Sequence, residues 1–107
     1  MATWAWVEID GPDGPERYEM RKGATSGLPY LSNKEAISIE QVTGLKPGAW
    51  LDACGEMDPT AWTALVQLLR ARQGREQRFT EVDFDLLSAK IELEDDGEPG
   101  GGDEPGN

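Results

Sequence analysis

Residues 58–74 read DPTAWTALVQLLRARQG and carry the strongest helix signature in the chain. Asp58 can accept from free backbone N–H groups of a first turn. Pro59 suits the first helical position because its missing N–H would have no partner there. Trp62, Leu65, Val66 and Leu69 recur at i, i+3, i+4 and i+7, and Ala61, Ala64 and Leu68 widen the stripe. Arg70 and Arg72 fall in the last turn, where cations complement the helix dipole, and Gly74 ends it. The pattern predicts a central helix over about 58–73 with one broad buried face.

Working outward, Pro47 opens a shorter helix expected over about 47–56, with Trp50, Leu51 and Cys54 turned inward. Before it, Ser32-Asn33 precede a helix expected over about 34–43, with Glu35 at its positive end and Gly44 as its stop. Residues 22–32 read as a loop pinned to the core by Leu28, Tyr30 and Leu31. Residues 3–9 alternate Trp4, Trp6 and Glu8 with Ala5, Val7 and Ile9, the period of a strand. The turn chemistry of 10–15 and a second alternating run over 17–21 complete a hairpin at about 3–21. An isolated hairpin is marginal in water, so one face must pack on something else. C-terminal to the central helix, Thr80 with Asp83 three residues later reads as a weak capping box, which predicts a fourth short helix over about 80–87. Ala89 to Leu93 can add a short edge strand. The expected architecture is mainly α: an N-terminal β-hairpin followed by three to four helices in one domain, residues 1–93. Residues 94–107, rich in Gly, Pro and acid, are expected to be disordered because burial cannot offset their ordering entropy.

Composition narrows the function. The 107 residues hold 10 basic and 21 acidic side chains, a net charge of −11. Seven of the acids follow Lys90, which leaves 14 acidic against 10 basic residues and a net of −4 for the body. This balance opposes binding to nucleic acid or to anionic membrane surfaces. No apolar run approaches the ~20 residues of a transmembrane helix, and no basic region followed by an apolar run opens the chain. The single cysteine, Cys54, cannot form an internal disulfide, in keeping with a reducing, cytosolic compartment. There is no histidine, so the commonest general base and transition-metal ligand are missing, and neither GxxxxGK[ST] nor GxGxxG occurs. No catalytic, cofactor-binding or metal-ligating set emerges, and binding to other proteins is the class that remains.

Candidate partner-binding residues are the large aromatics Trp4, Trp6, Trp50 and Trp62 and the basic cluster Arg70, Arg72, Arg75 and Arg78. Tryptophan and arginine dominate binding hot spots. The plainer alternative is that Trp50 and Trp62 fill a small core, given the area a Trp buries, and that the arginines cap the helix or stay solvated. Asp83 and Asp85 lack the spacing of an EF-hand loop, and structural carboxylates are the better reading. The acidic C-terminal segment reads as a solubiliser, or as a phosphate mimic directed at a basic partner.

Three segments in order, residues 35–44, the Asp58–Gly74 helix with its arginine-rich end, and Phe79 to Leu86 (FTEVDFDL), resemble the tail assembly chaperones of long-tailed, siphovirus-like phages of actinobacterial hosts. The resemblance covers residues 33 to about 98. It implies a largely helical protein that binds the tape measure protein, keeps it soluble while tail tube protein polymerises around it, and is absent from the mature virion. It also implies a longer form of the same protein made by programmed frameshift, and action in the host cell cytoplasm. The alternatives are a small acidic inhibitor acting as a charge mimic, or another phage structural or accessory protein.

Overall fold

A computed structural model describes residues 2–24 and 27–94. The expected hairpin is present as β1 (Thr3–Gly11) and β2 (Gly14–Arg21), linked through Pro12 and Asp13. Three helices follow: α1 (Asn33–Thr43), α2 (Pro47–Gly55) and α3 (Pro59–Arg72). The chain then returns as β3 (Asp85–Leu93), which pairs antiparallel with the open side of β1 and gives the strand order β2-β1-β3.

This return overturns the mainly α reading. Helix makes up 41% and strand 31% of the described residues, which form a small α+β domain with one three-stranded antiparallel sheet and three helices. The largely helical fold implied by the family resemblance is corrected with it. The fourth helix expected over 80–87 is absent: a single 3-10 turn at Phe79–Glu81, held by the Arg78 amide donating to Glu81 Oε1 at 2.9 Å, gives way to extended chain. The reason lies in burial. Val82, Phe84 and Leu86 pack against the core while Asp83, Asp85 and Leu87 face solvent, and a period of two is that of a strand. The weak capping pattern at Thr80 was outweighed by pairing with β1, some 75 residues away in sequence. That pairing also supplies the third strand a lone hairpin lacks.

β3 accommodates its length mismatch with a wide bulge. Lys90 faces Glu8 and Asp85 faces Asp10, so residues 86–89 lie opposite Ile9 alone. Ser88 ties the bulge down: its hydroxyl accepts from the Asp10 amide at 2.8 Å and donates to the Asp85 carbonyl at 2.6 Å.

The sheet's inner face, with Val7, Ile9, Tyr18, Met20 and Ala89, forms one core with Ile39 of α1, Trp50 and Cys54 of α2 and the broad face of α3. Local sequence explains the helix ends. Ser32 and Glu35 make a reciprocal capping box, 3.1 and 3.0 Å, and Gly44 takes the left-handed conformation (φ 76°) that closes α1. Asp58 accepts from the Ala61 amide at 2.8 Å and starts α3. Trp50 and Trp62 lock α2 to α3 reciprocally: the Trp50 indole donates to the Ala61 carbonyl at 3.0 Å, and the Trp62 indole to the Cys54 carbonyl at 2.8 Å. Leu28 and Tyr30, expected to pin the 22–32 loop, are instead about half exposed; Leu31 packs on the core.

Replacing Trp62 by Phe removes a buried donor and part of a ring and takes the indole bond from the Cys54 carbonyl, which keeps the Met57 amide at 3.0 Å. The cost should be about 2 kcal/mol or more in urea unfolding, against less than about 0.5 kcal/mol for Leu87→Ser at an exposed position. Equal losses for the two would show that the indole bonds do not hold α2 against α3.

Candidate partner-binding surface

The arginine cluster is where the structure departs furthest from a surface reading. Arg70 is 1% exposed. Its Nε and Nη2 reach the two carboxylate oxygens of Glu16 on β2, both at 3.0 Å, in the two-pronged geometry that suits guanidinium and carboxylate. Two further N–H groups go to Gln77 Oε1 at 2.9 Å and the Asp83 carbonyl at 3.2 Å. Glu16 in turn accepts from the Tyr18 hydroxyl and lies 3.6 Å from Arg75. Burial pushes the Glu16 carboxyl up, but the hydrogen bonds from Arg70 and Tyr18 and the charges of Arg70 and Arg75 outweigh it, and the group sits below the ordinary glutamate value of 4.5. Gly11 makes room for the pair, since a Cβ there would stand 2.0 Å from Glu16 Oε2 and 3.1 Å from Arg70 Nη2.

The other arginines of the cluster also pair within the chain, although Arg78 stays largely exposed. Arg72 holds Glu35 through two bonds, 2.7 and 2.9 Å, and donates to the Tyr30 carbonyl at 3.2 Å, so it joins the end of α3 to the start of α1. Its hydrogen bonds hold Glu35 below 4.5 against the opposing effect of burial. Arg75 reaches the Tyr18 hydroxyl at 3.4 Å, and Arg78 pairs with Glu81 at 3.2 Å. Of Arg70, Arg72 and Arg75, only Arg75 keeps about half of its side chain in solvent.

The tryptophans divide. Trp50 and Trp62 lie within the core, 0% and 1% exposed, and offer no surface. Trp4 and Trp6 are partly exposed. The Trp4 indole donates to the Gly27 carbonyl at 3.1 Å, and its ring packs at the margin of the core. Trp6 stands on the outer face of the sheet with the Arg17 guanidinium 4.0 Å from its ring centre, a cation–π stack. Register places Glu19 and Glu92 on either side of it. Next along β1, Glu8 sits between Arg17 at 3.0 Å and Lys90 at 3.5 Å. The outer face thus sets a paired Glu8, flanked by Arg17 and Lys90, beside an aromatic ring flanked by two glutamates.

The apolar surface lies elsewhere. Leu28, Tyr30, Ile37, Leu87 (86% exposed) and Leu93 (67%) are the large apolar side chains facing solvent among the described residues. The residue types alone do not mark them: Leu87 follows a core leucine, and Ile37 lies two residues from buried Ile39.

Asp83 and Asp85 each accept from a nearby backbone amide, of Phe84 and Leu87, as local turn acceptors. No group of three or more His, Cys, Asp or Glu is placed to hold a metal ion among the described residues. The Cys54 thiol is buried, and burial together with the Asp58 charge pushes it up to about 12. No helix among them is long and apolar enough to cross a membrane. Residues 95–107, expected to be a disordered solubilising segment, lie outside the described residues. The chain matches no protein-family model, no curated protein and no solved structure.

Two outcomes follow from the buried pair. Gly11→Ala should destabilise by about 1–3 kcal/mol through overpacking, and most of that loss should vanish in a Glu16→Ala background, a coupling measured by a double-mutant cycle in urea. Additive losses would show that the two sites do not share the space. Glu16 and Glu35 are depressed in the folded state, so their stabilisation is present in full above 4.5 and is lost as pH falls through their folded values. Urea midpoints should hold from pH 7 to pH 5 and fall by pH 3, and the E16Q/E35Q variant should show a shallower fall.

Proposed function

We propose that the protein is a tail assembly chaperone of a long-tailed, siphovirus-like phage, which binds the tape measure protein and keeps it in solution while the tail tube is built. The observation that carries this reading is the ordered set of segments at 35–44, 58–74 and 79–86. The reading places the protein in the cytoplasm of an actinobacterial host and outside the finished virion, with tail tube protein and a frameshifted longer form of itself as further partners.

The physical requirements of such a chaperone fit this chain. A client rich in apolar helix needs apolar cover, and Leu28, Tyr30, Ile37, Leu87 and Leu93 stand exposed on the domain. The complex then needs charge to stay dispersed, and the −11 net charge, concentrated after Lys90, supplies like-charge repulsion. The resembling segments themselves fold mostly inward, as α1, α3 and the run into β3. They build the scaffold, and the client surface falls to the exposed apolar side chains.

Co-expression with the tape measure protein of the same genome tests the reading. The client should move from pellet to supernatant and co-purify with this chain; a client whose solubility is unchanged sinks the proposal. Deleting residues 95–107 should leave the far-UV circular dichroism of the domain intact and lower the solubility of the client complex. Unchanged complex solubility would remove the C-terminal segment from the mechanism.

A further inference from the structure

β3 has one neighbour in the sheet. The Glu94 amide donates to the Trp4 carbonyl at 3.0 Å, and the register runs from Ala5↔Leu93 to Glu8↔Lys90. Glu94, Glu92 and Lys90 therefore occupy the hydrogen-bonded positions against β1. In an antiparallel ladder the intervening residues turn their N–H and C=O groups the other way. Ala89, Ile91 and Leu93 thus aim their backbone groups at the open edge, where no strand meets them among the described residues. Their side chains lie on the core face, and Leu93 overhangs it, 67% exposed. Lys90 and Glu92 alternate with them on the outer face.

We infer that this edge pairs with the same edge of a second copy, antiparallel, about a twofold axis at Ile91. The choice of register decides the occupant. An axis at Lys90 sets Lys90 against Lys90 of the second copy, and an axis at Glu92 sets Glu92 against Glu92. An axis at Leu93 opposes Glu92 to Glu94. An axis at Ile91 places Lys90 opposite Glu92 twice, once on each side of the axis, and Leu93 opposite the small Ala89 twice. Directly opposed unlike charges stabilise a ladder and like charges penalise it. A lysine on an edge strand ordinarily discourages pairing; here the next outward residue is its complement, so a single self-complementary register is favoured over its neighbours. The exposed Leu93 side chain gains cover over Ala89, and the free amides and carbonyls of residues 89, 91 and 93 gain partners. The result is a six-stranded sheet, β2-β1-β3 continued by β3-β1-β2, with an isologous interface.

Sedimentation equilibrium of the full chain over a broad micromolar range tests this. The wild type should rise from 11.7 kDa toward twice that mass. K90E and E92K should each weaken self-association by about tenfold or more, with unchanged far-UV circular dichroism. Mixed in equal amounts the two single variants should associate with each other, and the K90E/E92K double variant should self-associate again. A wild-type chain that stays at 11.7 kDa throughout overturns the inference and leaves the edge to an extended client strand. Single variants that associate like wild type, or a mixture that stays monomeric, overturn it as well.

Discussion

The two-pronged contact between Glu16 and Arg70 joins three parts of the molecule that are far apart in sequence. Glu16 comes from the second strand, Arg70 from the last turn of α3, and Gln77 and the Asp83 carbonyl from the connection that leads into β3. A buried guanidinium is tolerable only when its charge is matched and its donors find acceptors, and here Glu16 matches the charge and four hydrogen bonds reach partners on separate elements. The pair therefore acts as a positional constraint. Moving β2, α3 or the 77–83 segment independently would strand a charge away from water.

Other features follow from that constraint. Gly11, at the end of β1, keeps the space above the carboxylate free. Arg72, two residues further along α3, does for α1 what Arg70 does for β2, holding Glu35 where that residue also caps its own helix. The two buried indoles complete the helical layer by exchanging hydrogen bonds between α2 and α3. The arginines and tryptophans that a hot-spot argument would send to the surface are, for the most part, the cross-links of the fold. What faces outward is a sheet face of mostly paired charge, a few isolated apolar side chains and the two edge strands, β2 and β3.

Much of the fold was legible in short stretches. The α3 stripe of Trp62, Leu65, Val66 and Leu69, the Asp58-Pro59 start, the Ser32–Glu35 cap and the alternation of β1 are all local signals, with spacings set by 3.6- or 2-residue periods. The 80–87 segment misled because two patterns overlapped there: a weak cap signal at Thr80, and the alternation Val82, Phe84, Leu86, which is short and interrupted by the Leu86-Leu87 doublet. The candidate site was less legible. Arg70 and Arg72 follow a helical stripe as typical exposed cations do, and nothing near them in sequence announces Glu16, 54 residues earlier.

The sequence by itself determined the acidic balance, the lack of histidine, the three helices with their caps and the N-terminal hairpin, because each depends on residues within a turn or two of one another. Only the tertiary structure decided that the edge strand expected at 89–93 starts as early as Asp85 and pairs with β1, that Arg70 is buried, that Trp50 and Trp62 each bond to the backbone of the other's helix, and that Ala89, Ile91 and Leu93 are left with open hydrogen-bonding groups. Those outcomes depend on which distant segment supplies a partner for a charge, an indole N–H or a backbone amide, and that pairing is settled by the closure of the core rather than by any local period.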